Sequence, residues 1–566
     1  MKKRIFSLCL VLLFLLAGCA QKPKKNPMPI SSQYDNSVSS EDVTSSEEQE
    51  TAQTAIADKY YELNGGSNIF ENLMDDEDDK NSSFDINVEK NTIPATLSTK
   101  WDAANVSPKK DGGASKEAQA MRKKVINAKN TADNYDLTGK TVYYISPNGD
   151  DKNDGLSPKK AIKTLNADAV YLNPLKSGDV LLFERGGVWR MSNTLKAQEG
   201  VIYGSYGKGE KPTFVGSIKN YAKAEYWNAS NKENVWKLTV ADTDIGLIVF
   251  NHGEMVGWKK YNGVTTLENN GDYYYNPKDE TIYLYFDKGN PGKYFKDIEV
   301  CLNKSAIGIS QDNVVIDNIR IKYYGRFGIS MSGNDNTKIT NCEIGFIGGA
   351  TQSETLRYGN CIQQWNSTDK QLVENCWLYQ AYDTGLTFQG NDNYETGVNE
   401  KGENRVGDKV YYKDVSYVNN IIEYCVFAIE VWHGDNGSEH LSKWQNVDIS
   451  GNVMSQNGYG WSSKQRPDKV GSAICVRERW FPNATGCKIT NNIFDMSSRM
   501  FVHWSFSGGP YGDWTIKGNT FYQTNNSKNE SMWYGGLKEA INQSTFEAAI
   551  DSFDKSPKLV KWLTSK

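Results

Sequence analysis

The chain has 566 residues, of which 38% are hydrophobic, so it can bury a large core. Its formal net charge at pH 7 is only −5 and the sequence contains no basic arm or recognition helix, which argues against a nucleic-acid partner. The 49 glycines and 15 prolines suit a chain that turns tightly many times, and 12% aromatic residues suit a protein that stacks on rings.

The first 19 residues have the pattern of a secretion signal. Lys2–Arg4 is positive, and the apolar run Ile5–Leu16 is too short to span a bilayer. The run ends in Leu16–Cys19 (LAGC), which resembles the bacterial lipobox and implies cleavage before Cys19 with acylation of its thiol and amine. We therefore predict a lipoprotein signal peptide at residues 1–19 and a surface protein anchored to the bacterial membrane, outside the cytoplasm, by lipidated Cys19. An ordinary signal peptide that ends by chance in cysteine is the alternative.

Two segments without strand patterns follow. Residues 20–113 are rich in Ser, Thr, Lys, Asp and Glu, a composition that predicts a disordered tether. The acidic cluster Asp75–Asp79 fits a solvated linker better than a calcium site. Residues 114–138 contain a predicted helix, Ser115 to Asn134, with Ser115 at the N-cap. We expect this helix to cap the open end of the repeats that follow, because a terminal unit exposes a raw edge.

The loop Asp150–Gly155 is rich in Asp and Asn and therefore invites a calcium interpretation. It does not match an EF-hand, because Lys152 takes a ligand position and Ala161 stands where the bidentate glutamate belongs. We predict an Asx-rich turn here.

A set of short motifs begins at Thr141. The motifs are Tyr144–Gly149 (YISPNG), Lys163–Leu165 (KTL), the turn Ser177–Asp179 before Val180–Phe183, Arg185–Trp189 (RGGVW) and Tyr203–Gly207 (YGSYG). Together they closely resemble the first coils of secreted pectate-lyase-like right-handed parallel β-helix proteins. The resemblance covers about Thr141 to Tyr522 and implies an all-β fold of that type. It does not select a reaction, since the superfamily contains lyases, hydrolases, epimerases and non-catalytic tail proteins.

We assign the parallel β-helix to residues 139–534. Residues 219–300 interrupt it with segments that read as antiparallel hairpins, which we interpret as an insertion that wraps the solenoid and can form one wall of a groove. The hairpin segments are Trp236–Val240, Leu247–Phe250, Asp272–Tyr275 and Thr281–Phe286. Residues 535–566 contain apolar spacing of three and four, which predicts a C-terminal helical cap.

A six-residue phrase recurs seven times after the insertion: apolar, any, Asn or Gly, small or amide, any, apolar. Its third positions lie 23 to 44 residues apart, at Asn318, Asn341, Asn375, Asn419, Gly451, Asn491 and Gly518. Repeats of this length indicate stacked coils that bury a shared core. The third residue predicts a corner in the left-handed region, and stacked Asn side chains can hydrogen-bond along the stack.

A second phrase predicts a strand in each of six coils. The strands are Gly328–Ser332, Cys361–Trp365, Gly385–Gln389, Ala428–Trp432, Ala473–Arg477 and Phe501–Ser505. Because side chains alternate along a strand, the second and fourth residues should enter the core, and the third and fifth should form one continuous outer face.

Seven cysteines remain beyond Cys9 and Cys19. We predict buried free thiols, since no metal-type Cys-x-x-Cys occurs. A disulfide between Cys342 and Cys376, which share a phrase position in successive coils, is the alternative.

The outer face and four long connections (348–358, 390–408, 433–444 and 458–471) define a candidate glycan groove. Aromatic rings there could stack on sugars, amides could bond hydroxyls, and arginines could clamp a carboxylate. The residues expected to bind substrate are Arg357, Gln363, Trp365, Tyr382, Gln389, Trp432, Arg479 and His503. The residues expected to carry chemistry are Asp383, Glu430, His433, Lys464 and Arg477.

Each candidate has a structural alternative. An outward tryptophan can simply cover a loop, Glu430 can pair with Arg477 one coil on, and Asp383 can cap its corner. The candidates nevertheless fall on adjacent coils, whereas the preceding coil presents only Ser330 and Ser332.

The first mechanism that fits is β-elimination on a uronate-containing polysaccharide, which needs a carboxylate neutraliser, a base and a proton donor. The residues for these steps are Arg477 or Arg479, Lys464 or His433, and Tyr382 or His503, respectively. A calcium ion, which similar lyases often use, could replace an arginine, and the pattern calls for no other cofactor.

The second mechanism is glycoside hydrolysis by the carboxylate pair Asp383 and Glu430. Adjacent coils separate them by about 4.8 Å plus a lateral offset, which is compatible with both the retaining and the inverting distance. A non-catalytic glycan binder is the third possibility. We rank elimination first, because of the paired arginines, and we expect a monomer.

Overall fold

The computed structural model describes residues 86–90, 113–164, 175–353, 356–391, 410–434, 443–466, 471–476, 483–504, 512–524, 532–533 and 543–563. The signal peptide with Cys19, most of the tether, Arg477 and Arg479 lie outside these ranges. For His433, Lys464 and His503 the backbone alone is described.

Three long, largely parallel sheets form the body of the protein, and the chain passes through sheets 1, 2 and 3 in turn in each coil. Sheet 1 contains Val142–Ile145, Val180–Glu184, Ile202–Tyr206, Val315–Asp317, Lys338–Thr340, Leu372–Glu374, Ser416–Val418, Asp448–Ser450, Asn483–Thr490 and Gly512–Lys517, and extends through Lys443–Gln445, Val410–Lys413 and Thr368–Asp369. Sheet 2 contains Ile86–Lys90, Gly187–Met191, Thr213–Val215, Arg320–Tyr324, Glu343–Ile347, Trp377–Ala381, Ile421–Glu423, Val453–Ser455, Ile493–Asp495, Thr520–Thr524 and Leu559–Leu563. Sheet 3 contains Leu195–Ala197, Ile307–Ile309, Ile329–Ser332, Ile362–Trp365, Thr384–Asn391, Phe427–Gly434, Ser472–Val476, Met500–Trp504 and Met532–Trp533.

The register of the coils follows the six-residue phrase. Its first residues are partners across sheet 1 in all seven coils: Ile316, Ile339, Val373, Tyr417, Ile449, Ile489 and Ile516. Its sixth residues are partners across sheet 2: Ile321, Ile344, Leu378, Ile422, Met454, Phe494 and Phe521. The chain is therefore a right-handed parallel β-helix, and the predicted fold is confirmed.

The corner between sheets 1 and 2 is built as the phrase predicts. All seven third-position residues have positive φ, from 51° at Asn375 to 71° at Gly518. The strongest amide ladder, however, lies one residue further on and inside the corner. Its members, each fully buried, are Asn420, Asn452, Asn492 and Asn519.

Each ladder asparagine bonds to the next coil. The amide of Asn452 donates to Asn492 Oδ1 at 3.0 Å and to the Tyr417 carbonyl at 2.7 Å. Its Oδ1 accepts the backbone N–H of Asn420 at 2.9 Å. The ladder ends on buried Asp554, which accepts the Asn519 amide at 2.8 Å. Every polar atom named here has a partner, so the corner can be buried without a desolvation penalty.

The corner between sheets 2 and 3 also uses left-handed backbone, but with bulky residues. Positive φ occurs at Tyr323, Phe346, Gln380, Tyr424, Gln456 and Met496. Such residues adopt this conformation at a cost and persist in it only where their surroundings hold them. Their residue types gave no sequence signal for this corner.

The N-terminal helices lie along the side of the stack. Ser115–Ile126 packs Ala118 and Val125 against the outer face of sheet 2, and Thr131–Asn134 follows it. Arg122 Nε donates to Glu423 Oε1 at 2.7 Å, and Trp377 Nε1 donates to the same oxygen at 2.8 Å. This position differs from the expected cap, because the buried stripe of the helix matches an apolar sheet face better than an open coil end.

Other elements cover the ends of the stack. The strand Ile86–Lys90, within the segment predicted as a disordered tether, pairs antiparallel with Gly187–Met191 at the first edge of sheet 2. At the other end the helix Gln543–Asp551 buries Phe546 and Ile550 in the core, as the C-terminal cap requires.

Residues between sheets 2 and 3 of the early coils form the expected insertion. Its five-stranded sheet contains Trp258–Lys259, Asp272–Asn276, Thr281–Tyr285, Val235–Thr239 and Asn228–Ala229. Its three-stranded sheet contains Met255–Val256, Ile245–Phe250 and Ile298–Leu302. The short helix Pro291–Tyr294 and the turns Ala224–Tyr226, Asn251–Gly253 and Val264–Thr266 connect them. Tyr273, Ile282 and Leu284 are completely buried in a core of its own.

Two local predictions can be compared directly with the structure. The seven cysteines of the described chain are buried free thiols, so Cys342 and Cys376 are not bridged. In the Asp150–Gly155 loop, Asp150 and Asp154 each accept the backbone N–H two residues on at 3.0 Å, which is the geometry of Asx turns. None of the described helices combines the length and the hydropathy needed to cross a membrane.

Replacing Asn452 by Ala should destabilise the protein by about 3 kcal/mol or more, because it leaves several buried ladder groups without partners. Urea unfolding followed by circular dichroism measures the change. Asn419→Gly is the matched control, because Asn419 is exposed and its left-handed φ of 57° suits glycine. Equal stability of the two variants would contradict a stabilising ladder.

We expect buried Asp495 to make the stability of the protein depend on pH. Burial raises the pKa of its carboxyl to about 6. Hydrogen bonds from Ser455 and from the backbone at residues 113–114 lower the pKa, but their effect is smaller than that of burial. A raised carboxyl pKa means that stability from this group is present below about pH 4 and is lost as pH rises through 6. Asp495→Asn should remove on the order of 3 kcal/mol of this pH dependence, measured by thermal unfolding between pH 4 and 7. Exposed Asp133→Asn should leave the wild-type curve unchanged.

Candidate functional site

The outer face of sheet 3 has the predicted alternation. Ile329, Ile362, Leu386, Ile429, Ile474 and Val502 are register partners with side chains in the core. On the opposite face Ser332, Trp365, Gln389 and Trp432 form one row across four coils. A second row contains Thr387, Glu430, Cys475 and His503.

The middle of this face is more enclosed than the sequence predicts. The exposed fraction is 1% for Gln363, 9% for Gln389 and 4% for Glu430. These side chains are nevertheless on the opposite face of the strands from Ile362, Leu386 and Ile429, which lie in the inner core. They bond to one another.

Five buried side chains form a closed hydrogen-bonded ring on this face. The ring, which we call the amide ring, contains Thr384, Asn360, Gln363, Gln389 and Glu430. Gln363 Nε2 donates to Gln389 Oε1 at 2.7 Å, and Gln389 Nε2 donates to Glu430 Oε2 at 2.6 Å. Thr384 Oγ1 lies 3.3 Å from the same Glu430 oxygen and closes the ring. The side chains come from three consecutive coils.

A backbone group fixes the direction of every bond in the amide ring. The N–H of Thr384 can only donate, and it bonds to Asn360 Oδ1 at 3.1 Å. Asn360 must therefore turn its NH₂ to Gln363 Oε1. The same constraint passes through Gln363 to Gln389, whose NH₂ then faces Glu430. Glu430 Oε2 is consequently an obligate acceptor.

The two tryptophans of the face stack on each other. The rings of Trp365 and Trp432 lie 5.5 Å apart between centroids with an interplanar angle of 26°. Trp365 is 7% exposed, so its ring is largely covered, and its contact with a sugar stays a prediction. Trp432 is half-buried and is the ring of this pair that a ligand can reach.

Asp383 immediately precedes the strand Thr384–Asn391 and pairs with Arg466, which no sequence pattern had indicated. Arg466 NH1 bonds to Asp383 Oδ1, and the side chains are 11% and 21% exposed, respectively. The Arg466 guanidinium also lies 5.6 Å from the ring centroids of Tyr382 and Phe427. Tyr382 is itself 6% exposed and packs on Trp461 at 5.5 Å, so it supports Arg466 instead of lining an open groove.

The insertion forms one wall beside this ion pair. Arg357 Nε donates to Tyr261 Oη at 3.0 Å, and its guanidinium lies 4.3 Å from the Tyr261 ring centroid. Burial alone would lower the pKa of Arg357, but the neighbouring Tyr261, Tyr382 and Asp244 side chains raise it overall. Gln465 Nε2, next to Arg466, donates to the Gly257 carbonyl of the insertion at 2.8 Å.

Several predicted groups cannot be placed in this arrangement. The side chains of His433, Lys464 and His503, and the whole of Arg477 and Arg479, are outside the described residues. Within the described part of the chain, no group of three or more His, Cys, Asp or Glu side chains is placed to hold a metal ion. A calcium requirement therefore stays a prediction from the sequence.

Reversing the direction of the hydrogen bonds in the amide ring should make Glu430 take up a proton. In Asn360→Asp an acceptor oxygen replaces the NH₂, so Gln363 and Gln389 must turn over and Glu430 must take up a proton to keep its bond. Difference infrared spectroscopy at neutral pH should show a new protonated-carboxyl band, which Glu430→Gln removes. Asn366→Asp is the control, because Asn366 lies on the same face outside the ring and bonds to Ser332. A spectrum like that of the control would contradict the fixed direction.

No protein-family model matches the sequence, and comparison with curated proteins finds no match. Comparison with solved structures finds partial similarity to several proteins. The xylose complex of XylC has 13% identity, covers 75% of this chain and 83% of its own, and gives a TM-score of 0.42. A lacto-N-biosidase from Eubacterium ramulus has 13% identity, coverage of 77% and 68%, and a TM-score of 0.35. A pectate lyase has 11% identity, coverage of 70% and 74%, and a TM-score of 0.40.

Proposed function

We propose that this protein binds a polysaccharide across the outer face of sheet 3 and hydrolyses it, with Glu430 as the anionic catalytic group. The observation that carries the proposal is the amide ring, which presents Glu430 Oε2 as a fixed acceptor between Gln389 and Thr384. Because hydrogen bonds already hold this carboxylate in one orientation, the protein does not have to rearrange when charge develops beside it during a reaction.

The charge of Glu430 favours hydrolysis over elimination. Glycoside hydrolysis passes through an oxocarbenium-like transition state, whose positive charge an ionised carboxylate stabilises. Elimination on a uronate increases negative charge next to the substrate carboxylate, which Glu430 would repel. Glu430 therefore acts as the nucleophile or as the base that activates water.

Asp383 is the second carboxylate of the proposed pair. It lies one residue before Thr384, whose hydroxyl bonds to Glu430, and so it is one coil before Glu430 in the stack. We assign it the transfer of a proton to the leaving oxygen, after substrate has displaced Arg466 and the freed carboxylate has taken up a proton from solvent. Trp432 would stack on a sugar ring, since Trp365 supports its other face.

β-Elimination is the second candidate, supported by the guanidinium groups of Arg466 and Arg357 beside Tyr382. Either could meet a uronate carboxylate. For both reactions we keep the proposal of a lipid anchor at Cys19, with the segment between Cys19 and the strand Ile86–Lys90 as a tether that places the β-helix away from the membrane.

Glu430→Gln should reduce cleavage by about 10²- to 10⁴-fold while leaving glycan binding largely intact. The full chain is incubated with neutral and uronate-containing polysaccharides, and reducing ends are measured together with the ultraviolet absorbance of unsaturated uronates. Glu374→Gln is the matched control, because Glu374 lies on sheet 1 and not on this face. Absorbance from unsaturated products would shift the assignment to elimination, and full activity of the Glu430 variant would remove Glu430 from the mechanism.

A further inference from the structure

Tyr261 is an exposed aromatic residue that the structure holds rigidly. It is 48% exposed, one of the few large apolar side chains with this exposure among the described residues. Other tyrosines of the insertion, such as Tyr273 and Tyr275, are 0% and 4% exposed and fill its core. Packing therefore explains those tyrosines, whereas about half of Tyr261 faces solvent.

Two cations fix the Tyr261 ring in place. The Arg357 guanidinium lies 4.3 Å from the ring centroid and bonds to the phenol oxygen, and Lys259 Nζ lies 5.6 Å away. Both cations are themselves anchored. Arg357 NH1 donates to the Leu356 carbonyl at 2.7 Å, and Lys259 pairs with Asp244. A ring held in this way loses little conformational freedom when a ligand stacks on it.

The position of Tyr261 connects it to the proposed cleavage site. Asp244 also accepts the backbone N–H of Thr351 at 2.6 Å, which joins the insertion to the loop that carries Arg357. That loop reaches Asp383, because the Gly359 carbonyl, two residues after Arg357, accepts the backbone N–H of Asp383 at 2.9 Å. Tyr261, Arg357 and the Arg466–Asp383 pair therefore lie along one wall.

We propose that Tyr261 is a pyranose-stacking subsite, contributed by the insertion, for sugar units of the substrate beyond those that are cleaved. The proposal rests on the proposed polysaccharide function. It adds a residue that makes binding depend on the length of the polysaccharide. Sugar rings present C–H faces that pack on aromatic rings, and the exposed phenol ring offers such a surface. The bond from Arg357 to the phenol oxygen positions the ring edge and takes no part in the reaction.

The test measures polymer and short-oligosaccharide substrates separately. Tyr261→Ala should raise KM for the polymer about three- to tenfold, with kcat changed less than twofold and with kinetics on the shortest cleaved oligosaccharide unchanged. Tyr261→Phe and Tyr261→Trp keep an aromatic ring and should retain KM within about twofold. Tyr294→Ala is the matched control, because Tyr294 is 59% exposed on the same insertion and packs on Phe286 instead.

Binding is measured in parallel on the Glu430→Gln background, where the polymer is not consumed. A wild-type protein that cleaves the polymer while Tyr261→Ala keeps the wild-type KM and affinity would overturn the subsite and leave the proposed function intact. A wild-type protein that neither binds nor cleaves any polysaccharide would overturn both. Loss of kcat and of thermal stability in Tyr261→Ala, with unchanged affinity, would show a structural role and also overturn the subsite.

Discussion

The register between successive coils is the constraint on which the rest of the structure depends. A slip of one residue in a parallel sheet moves every side chain to the opposite face, so the core and the outer face exist only in one register. The buried ladder of Asn420, Asn452, Asn492 and Asn519 fixes that register, because each amide reaches the oxygen of the next coil. Its last bond, to Asp554, joins the stack to the C-terminal region.

The candidate site is a consequence of the same register. Gln363, Gln389 and Glu430 come from separate coils, and the coil spacing of about 4.8 Å is the distance that a chain of side-chain amides can bridge. Once they are aligned, the single backbone N–H of Thr384 decides the orientation of all the amides. A structural feature of the fold thus fixes which oxygen of one carboxyl group accepts hydrogen bonds, and the proposed chemistry is built on that oxygen.

The sequence predicted the parts of the fold that depend on local pattern. The phrase with Asn or Gly at its third position located one corner of every coil, and its apolar ends are the observed register partners. The sequence also carried the ladder residues at the fourth position of four phrases, although the ladder was expected at the third. The sequence did not indicate the corner at Tyr323 and Gln380. Bulky residues adopt positive φ only when tertiary packing forces them to, so their residue types do not mark such a corner.

The missed site residues are those that depend on long-range contacts. Arg466 reaches Asp383 across 83 residues, and Tyr261 reaches Arg357 across 96, so no local pattern could pair them. The mutual covering of Trp365 and Trp432 was missed for a related reason, since alternation predicts which face a side chain takes but not what lies above it. Alternation alone was sufficient to place Gln363, Gln389 and Glu430 on one face.

Neutron diffraction on deuterium-exchanged crystals locates the deuterium atoms on the amides and on Glu430. We expect the ND₂ group of Asn360 to face Gln363, that of Gln363 to face Gln389 and that of Gln389 to face Glu430, with no deuterium on Glu430 Oε2. A deuterium on that oxygen, or any of the three amides in the opposite orientation, would contradict the fixed direction of the amide ring.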